Sequence, residues 1–207
     1  MERCVAKHPE HISAYMLSLS GEVPLKSMVD RGSVTLPDDD LVADMADLAH
    51  DFLGEAGYEH YEISNWALPG FRCQHNLNYW RRGNYLGLGA GAHSHMDGVR
   101  WWNVSDPREY IARLDGCAFP IEGVERLTSE DRMSELVILG LRLLEDGVSA
   151  RDFIRQAGVW PEEAFPGVFE NLITRGLLEM KGRGQERRFR LAPAARNVAN
   201  RVFVEFV

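Results

Sequence analysis

Cysteine is scarce in this chain: Cys4, Cys73 and Cys117 are the three among 207 residues, and they lie far apart. That spacing excludes a disulfide framework and any Cys-x-x-Cys metal site, and it leaves each thiol to act as a small side chain. Long apolar runs are missing too. No stretch approaches the roughly 18 apolar residues that cross a bilayer, so no integral membrane segment is expected. The opening residues Met-Glu-Arg-Cys-Val-Ala-Lys-His-Pro lack the apolar core of a secretory leader, and a cytoplasmic location is expected. Positive charge is also short, with 23 Lys and Arg against 31 Asp and Glu and a net charge of -8. Such a balance argues against nucleic acid as a partner, because phosphate binding needs clustered cations.

What is present suits a globular protein. Hydrophobic residues make up 45% and charged residues 26% of the chain, ordinary values for a folded domain, and the length suffices for one large or two modest cores. The charge is uneven. Residues 1–125 hold 10 Lys and Arg against 19 Asp and Glu, a net of -9, whereas residues 126–207 hold 13 against 12, a net of +1. This split predicts two domains, 1–125 and 126–207, with the boundary near residues 123–128.

In the first domain, residues 11–19 are apolar and followed by turn material, which predicts a buried strand. Leu36-Pro37-Asp38-Asp39-Asp40 opens a helix with carboxylates where the helix dipole favours them. Leu41, Met45, Leu48, Phe52 and Leu53 are its expected buried stripe and Gly57 its stop. Residues 58–63 read as the next strand. Strand, long helix and strand predict a parallel crossover, with functional residues at the carboxyl ends of the strands, where Ser18 and the pair Ser64-Asn65 fall. Asp97-Gly98 predicts a hairpin turn, and residues 107–114 a short helix.

The second domain opens on Thr128-Ser129-Glu130-Asp131, a capping-box-like start. Met133, Leu136, Val137, Gly140, Leu141 and Leu144 form the expected buried face. Further helices follow Ser149 and span residues 161–175, residues 177–181 and 187–191 pair as a hairpin, and residues 193–206 end the chain as a helix. Three helices and a hairpin make a winged-helix-like order, which raises DNA binding as a rival function, since the hairpin carries Lys181, Arg183, Arg187, Arg188 and Arg190. The helix that would enter a groove instead carries Glu162, Glu163 and Glu170 against a single Arg175, and phosphate would repel it.

Residues 61–94 carry the chemistry. They mix aromatic rings with His75, Asn76, His93 and three glycines spaced two apart, Gly87, Gly89 and Gly91. Such a mixture is poor for a plain helix or strand. It suits a flat ligand, partly charged and partly apolar, that needs ring nitrogens and close backbone approach. The glycine run is not the dinucleotide fingerprint, because its third glycine is misplaced and no strand-then-helix unit with a following acidic residue accompanies it.

Taken in order, Tyr61-Glu62-Ile63-Ser64-Asn65-Trp66-Ala67, then His75-Asn76-Leu77-Asn78-Tyr79-Trp80, then Tyr85-Leu86-Gly87 with Gly89, Gly91, Ala92, His93 and Ser94, closely resemble the HemW-type haem chaperones. These belong to the radical S-adenosylmethionine group, which also contains oxygen-independent coproporphyrinogen III oxidase. The resemblance runs from His11 to the C-terminus. It implies an α/β fold consisting of the closing strands of a partial parallel (β/α) barrel, followed by a small winged-helix-like C-terminal domain of the HemN type.

The resemblance further implies haem, or a related tetrapyrrole, as the ligand, bound through the His-Asn-x-x-Tyr motif at His75, Asn76 and Tyr79. His75 is the implied iron ligand and His93 the alternative; haem iron commonly takes a proximal His. Trp80 would cover a porphyrin face, and Arg81 and Arg82 would pair with propionates. In the full-length family S-adenosylmethionine and a [4Fe-4S] cluster are also bound, and Ser18 would fall near the S-adenosylmethionine pocket. The Cys-x-x-x-Cys-x-x-Cys loop that holds such a cluster has no counterpart here, so no radical activity is expected of this chain alone.

Two departures bear on function. Ser64-Asn65 stands where coproporphyrinogen oxidases have Asp-His, which favours the chaperone branch, and Ser20-Gly21-Glu22-Val23 replaces the Glu and Gly-Thr pair usual after the first strand. The alternatives are a portion of a genuine coproporphyrinogen III oxidase and a remnant without ligand. A barrel without its first strands has an open sheet edge, which predicts self-association or a complementing N-terminal half.

Overall fold

The computed structural model describes residues 1–19, 21 and 23–207. Ser20 and Glu22, part of the departure noted after the first strand, lie outside the described residues. The chain is a mixed α/β protein that divides into two compact units, Met1–Cys73 and Gln74–Val207. The division expected near residue 125 falls inside the second.

Unit 1 comprises α1 (Glu2–Val5), β1 (His11–Ser13), α2 (Pro24–Asp30), α3 (Asp39–Glu55), β2 (Glu59–Glu62) and β3 (Asn65–Ala67). The Asp38 side chain caps α3 by accepting from the Leu41 amide at 2.8 Å, and Asp39 and Asp40 occupy its first turn, as the helix dipole favours. The sheet order is β1-β3-β2, with both ladders antiparallel. The parallel pairing expected between the first two strands is therefore not formed. β1 and β2 run the same way, and β3 lies between them. Ile63 and Ser64 turn the chain straight back, so β3 pairs with β2 at Glu62 and Asn65 before a longer crossover can compete. The strand expected over residues 11–19 stops at Ser13 for the same reason. Beyond its partner Asn65, β3 has already turned, and Tyr15, Met16, Leu17 and Ser18 stand exposed.

The unit's core is Leu53, Tyr58 and Trp66, with Val5, Ile12, Ala14, Phe52, Ala56 and Leu68 packed against it. Burial of such side chains contributes roughly 2 kcal/mol each. The expected buried stripe of α3 is only partly used. Leu53 and Ala49 are buried, whereas Leu41, Met45 and Leu48 are exposed. The face turned inward is the neighbouring one, where alanine permits close approach to the core.

Unit 2 begins with α4 (Gln74–Trp80), then β4 (His93–Met96), β5 (Val99–Asn103), α5 (Pro107–Asp115) and β6 (Ile121–Arg126), whose strands form an antiparallel sheet in the order β4-β5-β6. The β4–β5 turn is the expected Asp97-Gly98 pair, both at positive φ (50° and 84°), as a two-residue hairpin of this kind requires. Next come α6 (Ser129–Gly140), β7 (Val148–Ser149), α7 (Ala150–Ala157), α8 (Pro161–Ala164), α9 (Val168–Thr174), β8 (Leu178–Lys181), β9 (Arg188–Leu191) and α10 (Ala199–Phe203).

The capping box at Thr128 is present: the Thr128 hydroxyl accepts from the Asp131 amide, and the Asp131 carboxylate accepts from the Thr128 amide. The helix expected over residues 161–175 is broken in two, because Pro166 and Gly167 (φ 76°) interrupt it. β7, β9 and β8 form a third antiparallel sheet in that order. Phe169 packs against Phe189 and Phe206 at centroid distances of 4.4 and 5.0 Å, and these rings with Val137, Leu141, Phe153, Leu172 and Val202 make a buried core.

Candidate functional site

Helix α4 presents His75 and Tyr79 one turn apart on one face. Their rings meet edge-on at 4.7 Å. Tyr79 meets Tyr85 in the same manner at 4.6 Å, and Tyr85 lies 6.0 Å from His95. Backbone bonds between Tyr85 and His95, 2.9 and 3.0 Å, tie the loop to β4. His93, two residues before His95 and thus on the same face of the strand, stacks on Trp102 of β5 at 5.8 Å. A band of rings thereby runs from exposed His75 to buried His95, with exposed His93 and half-buried Trp102 on the same sheet.

His75, Tyr79 and His93 are thus placed on or beside this band, and Asn76 is half-buried on α4. Ser18 lies in unit 1, exposed and apart from them in the chain. Trp80 and its neighbours have other employment. The Arg142 guanidinium covers the Trp80 ring at 4.2 Å, Arg81 pairs with Asp146 at 3.1 Å, and Arg82, with only 9% of its side chain exposed, pairs with Glu135 at 3.0 Å. Glu135 also pairs with Arg100. Turning Arg82 to a propionate would break its pair with Glu135, which Arg100 would still hold.

The glycines serve the fold. The Gly87 amide donates to the Ser94 hydroxyl at 2.9 Å, the Gly89 amide to the Tyr110 hydroxyl at 3.1 Å, and the Gly91 amide to the Val104 carbonyl at 2.8 Å. A Cβ on Gly87 would stand 2.1 Å from the His93 carbonyl oxygen. The close backbone approach that the spacing predicts is real, and it is made to the protein's own strand.

The sequence motif includes Tyr85 without assigning it a role, and His95 is not singled out. His95 Nδ1 donates to the Gly83 carbonyl at 3.3 Å, which leaves the Nε2 lone pair buried and without a hydrogen bond among the described residues. Burial raises the Tyr85 hydroxyl above its usual value, partly opposed by the charge of Arg100. The alternation of His93 and His95 along a hairpin strand was the available signal.

A second polar cluster lies in unit 1. Glu62 is fully buried, and its carboxylate accepts from the Ser64 amide at 2.9 Å and from the Asn65 side chain. The Ser13 hydroxyl donates to Asn65 at 2.5 Å, and His11 Nε2 lies 2.9 Å from the Tyr61 hydroxyl. The Ser64-Asn65 pair thus closes the β2–β3 turn around a buried carboxylate. An iron-sulfur cluster does not fit the residues present: Cys4 and Cys117 are exposed and Cys73 half-buried, and no group of three metal-ligating side chains occurs among the described residues. No helix among them is long and apolar enough to cross a membrane.

Comparison with known proteins places this geometry in context. Residues 127–196 match the HemN C-terminal domain family. The chain is 41% identical over 134 residues to the haem chaperone HemW of Mycobacterium tuberculosis, covering 65% of this chain and 34% of that one. It is 31% identical over 200 residues to HemW of Lactococcus lactis, covering 95% and 50%. Among solved structures, coproporphyrinogen III oxidase (HemN) from Escherichia coli, a radical SAM enzyme, superposes with a TM-score of 0.72 at 16% identity over 99% of this chain and 49% of that one. The chain spans half or less of the length of these proteins. Over their C-terminal portion, it resembles the HemW-type haem chaperones and the related oxidase HemN.

Proposed function

We propose that this chain is the haem-binding part of a HemW-like haem chaperone, with haem or a related tetrapyrrole held over the ring band of unit 2. One observation carries the reading: the exposed His75 ring stands edge-on to Tyr79 and thence to Tyr85, on a chain 31% identical to a haem chaperone over nearly its whole length. Bound haem would supply an iron that takes an imidazole nitrogen. His75 offers that nitrogen from a short helix fixed by Tyr79, Asn76 beside it is suited to a propionate or to orienting the imidazole, and His93 on β4 is the second candidate ligand. Tyr79 and Trp102 offer flat apolar surface to the macrocycle.

The same reading takes residues 1–125 as the closing part of a radical-SAM-type barrel and residues 126–207 as a winged-helix-like domain, for which the sheet order β7-β9-β8 and the preceding helices are the support. Ser18 is assigned to the S-adenosylmethionine side of the complete barrel, and a cytoplasmic protein that self-associates or joins a complementing N-terminal half completes the picture. The Ser64-Asn65 pair, standing where coproporphyrinogen oxidases have Asp-His, supports the chaperone over the oxidase alternative; here it binds the buried Glu62 carboxylate and the Ser13 hydroxyl.

The test is a haemin titration followed at the Soret band. His75→Ala is expected to weaken binding by about tenfold, the worth of one lost ligand contact near 1.4 kcal/mol, and the double change His75→Ala, His93→Ala to abolish the shifted band. Equal binding by the double variant and the intact chain overturns the site.

A further inference from the structure

Helix α4 ends on a residue that is unusual for its place. The Arg82 amide donates to the Tyr79 carbonyl at 2.9 Å and the Gly83 amide to the Asn78 carbonyl at 2.8 Å, the pair of bonds that closes a helix on a left-handed residue. That residue is Arg82, with φ 56°. Glycine adopts this conformation freely, whereas a side chain resists it. The glycine of the turn stands one residue later, where space demands it, because a Cβ on Gly83 would clash with the Asn78 side chain.

Contacts outside the turn hold Arg82 in this conformation. Its side chain is nearly buried, and Nε donates to the Glu135 carboxylate of α6 at 3.0 Å. Nη2 is buried without a hydrogen bond among the described residues, so Glu135 compensates the charge. The second Glu135 oxygen accepts from Arg100 of β5. Arg100 stands directly across from His95 of β4, and His95 Nδ1 donates to the Gly83 carbonyl at 3.3 Å. A closed circuit therefore runs from Gly83 through His95, Arg100, Glu135 and Arg82 back to Gly83. It fixes the turn between Tyr79, at the end of α4, and Tyr85, whose backbone is bonded to His95. Glu135 lies within residues 127–196, the segment that matches the HemN C-terminal domain, so that segment anchors a ring band drawn from residues 75–102.

We propose that Arg82 is a positioning residue of the ring band: paired with Glu135, it sets the end of α4 and with it the place of His75 and Tyr79 beside Tyr85. The guanidinium acts through His75 and makes no contact with the ligand. The inference deepens the haem reading and rests on it for the ligand, whereas the placement of the rings is a property of the chain without haem. A role in stability alone predicts that glycine at position 82 is harmless, since it relieves the backbone and Arg100 still compensates Glu135.

The test uses the intact chain and two readouts. Proton NOEs among the His75, Tyr79 and Tyr85 rings report placement without haemin, and a haemin titration per folded molecule reports its consequence. Arg82→Gly frees the backbone, and Glu135→Gln leaves the backbone unaltered. Both should weaken the His75–Tyr79 and Tyr79–Tyr85 NOEs and lower haemin affinity about tenfold, as for other residues that orient a metal ligand. The double variant should lose no more than either single one, because both changes remove one contact, and Arg82→Gly should add nothing in a His75→Ala chain. Val137→Ala, in the buried core two residues further along α6, should lower the urea midpoint and leave both readouts as they were. Unchanged NOEs in folded Arg82→Gly and Glu135→Gln overturn the proposal, as do equal losses in Val137→Ala or additive losses in the double variant. An intact chain that binds no haemin overturns the haem reading instead, and the NOEs then still decide the role of Arg82.

Discussion

The Tyr79 and Tyr85 rings meet edge to face, with centroids 4.6 Å apart and planes at 79°. The contact joins helix α4, which carries His75, to the loop that the backbone of β4 holds at His95. Tyr85 is therefore the joint between the two elements that present the histidines. Replacing it by alanine is expected to cost about 3 kcal/mol, as for other partly buried aromatic side chains, and to weaken haemin binding even though Tyr85 itself is not a ligand. Urea unfolding measures the first effect and the Soret titration the second.

The Tyr85 hydroxyl also gives a pH signature. Burial raises it above its usual 10.0, with Arg100 opposing. A group raised in the folded state contributes stability that is fully present below the unfolded value and is lost as pH climbs through the folded one. The intact protein should therefore lose stability above about pH 10, and Tyr85→Phe, which keeps the ring and removes the titrating group, should lose less over the same range. Parallel slopes for the two proteins in urea midpoint against pH would contradict this.

His11 works in the opposite window. Burial lowers its imidazole below the usual 6.5, only partly countered by the charge of Glu62, and its Nε2 meets the Tyr61 hydroxyl at 2.9 Å. The neutral ring is the folded form, so its contribution is present above the unfolded value and lost as pH falls through the folded one. Unit 1 should weaken on acidification from about pH 7 to pH 5, and His11→Gln should show a shallower decline. A proton NMR titration of His11 giving a midpoint at or above that of an exposed histidine sinks the prediction.

How far the sequence specified this structure differs from element to element. The Asp97-Gly98 turn, the Thr128–Asp131 capping box and the β8–β9 hairpin were legible because each rests on local chemistry: positive φ, a reciprocal hydrogen bond, and alternation. The sheet of unit 1 was not. Residues 11–19 are apolar enough to be a strand throughout, but pairing is a long-range property, and the two-residue turn at Ile63 and Ser64 decided it by folding β3 back between β1 and β2. Helix α3 was placed correctly, yet its buried face was misjudged, since two apolar seams one residue apart give nearly the same periodicity. The site shows the same limit. The motif contains His75, Tyr79 and Tyr85, but the contact of Tyr85 with Tyr79 and with His95 becomes visible only when the antiparallel hairpin brings the loop beside β4. Arg82 reads as a propionate partner until Glu135, far along the chain, meets it.

Gly123 offers a last check, on the opposite end of the ring band. It sits on β6 directly across from Trp102, and the indole covers it so closely that a Cβ there would lie 2.1 Å from the ring carbon Cζ2 and 2.5 Å from Cε2. Its φ is ordinary, so the glycine is required by space alone. Gly123→Ala must push Trp102 away from the sheet, and overpacking of this kind costs about 2 kcal/mol. Trp102 in turn carries the His93 ring, stacked at 5.8 Å and 27°, so the displacement reaches a candidate iron ligand without altering it. The neighbouring Val124→Ala is the control: Val124 is 56% exposed and pairs with Trp101 on the other face of the sheet, where a change of this size stays within about 0.5 kcal/mol. Urea midpoints should therefore fall for Gly123→Ala and hold for Val124→Ala. If His93 serves as a ligand, the Soret maximum of the haemin complex shifts in the first variant alone; if His75 serves by itself, stability falls while the band stays where it was.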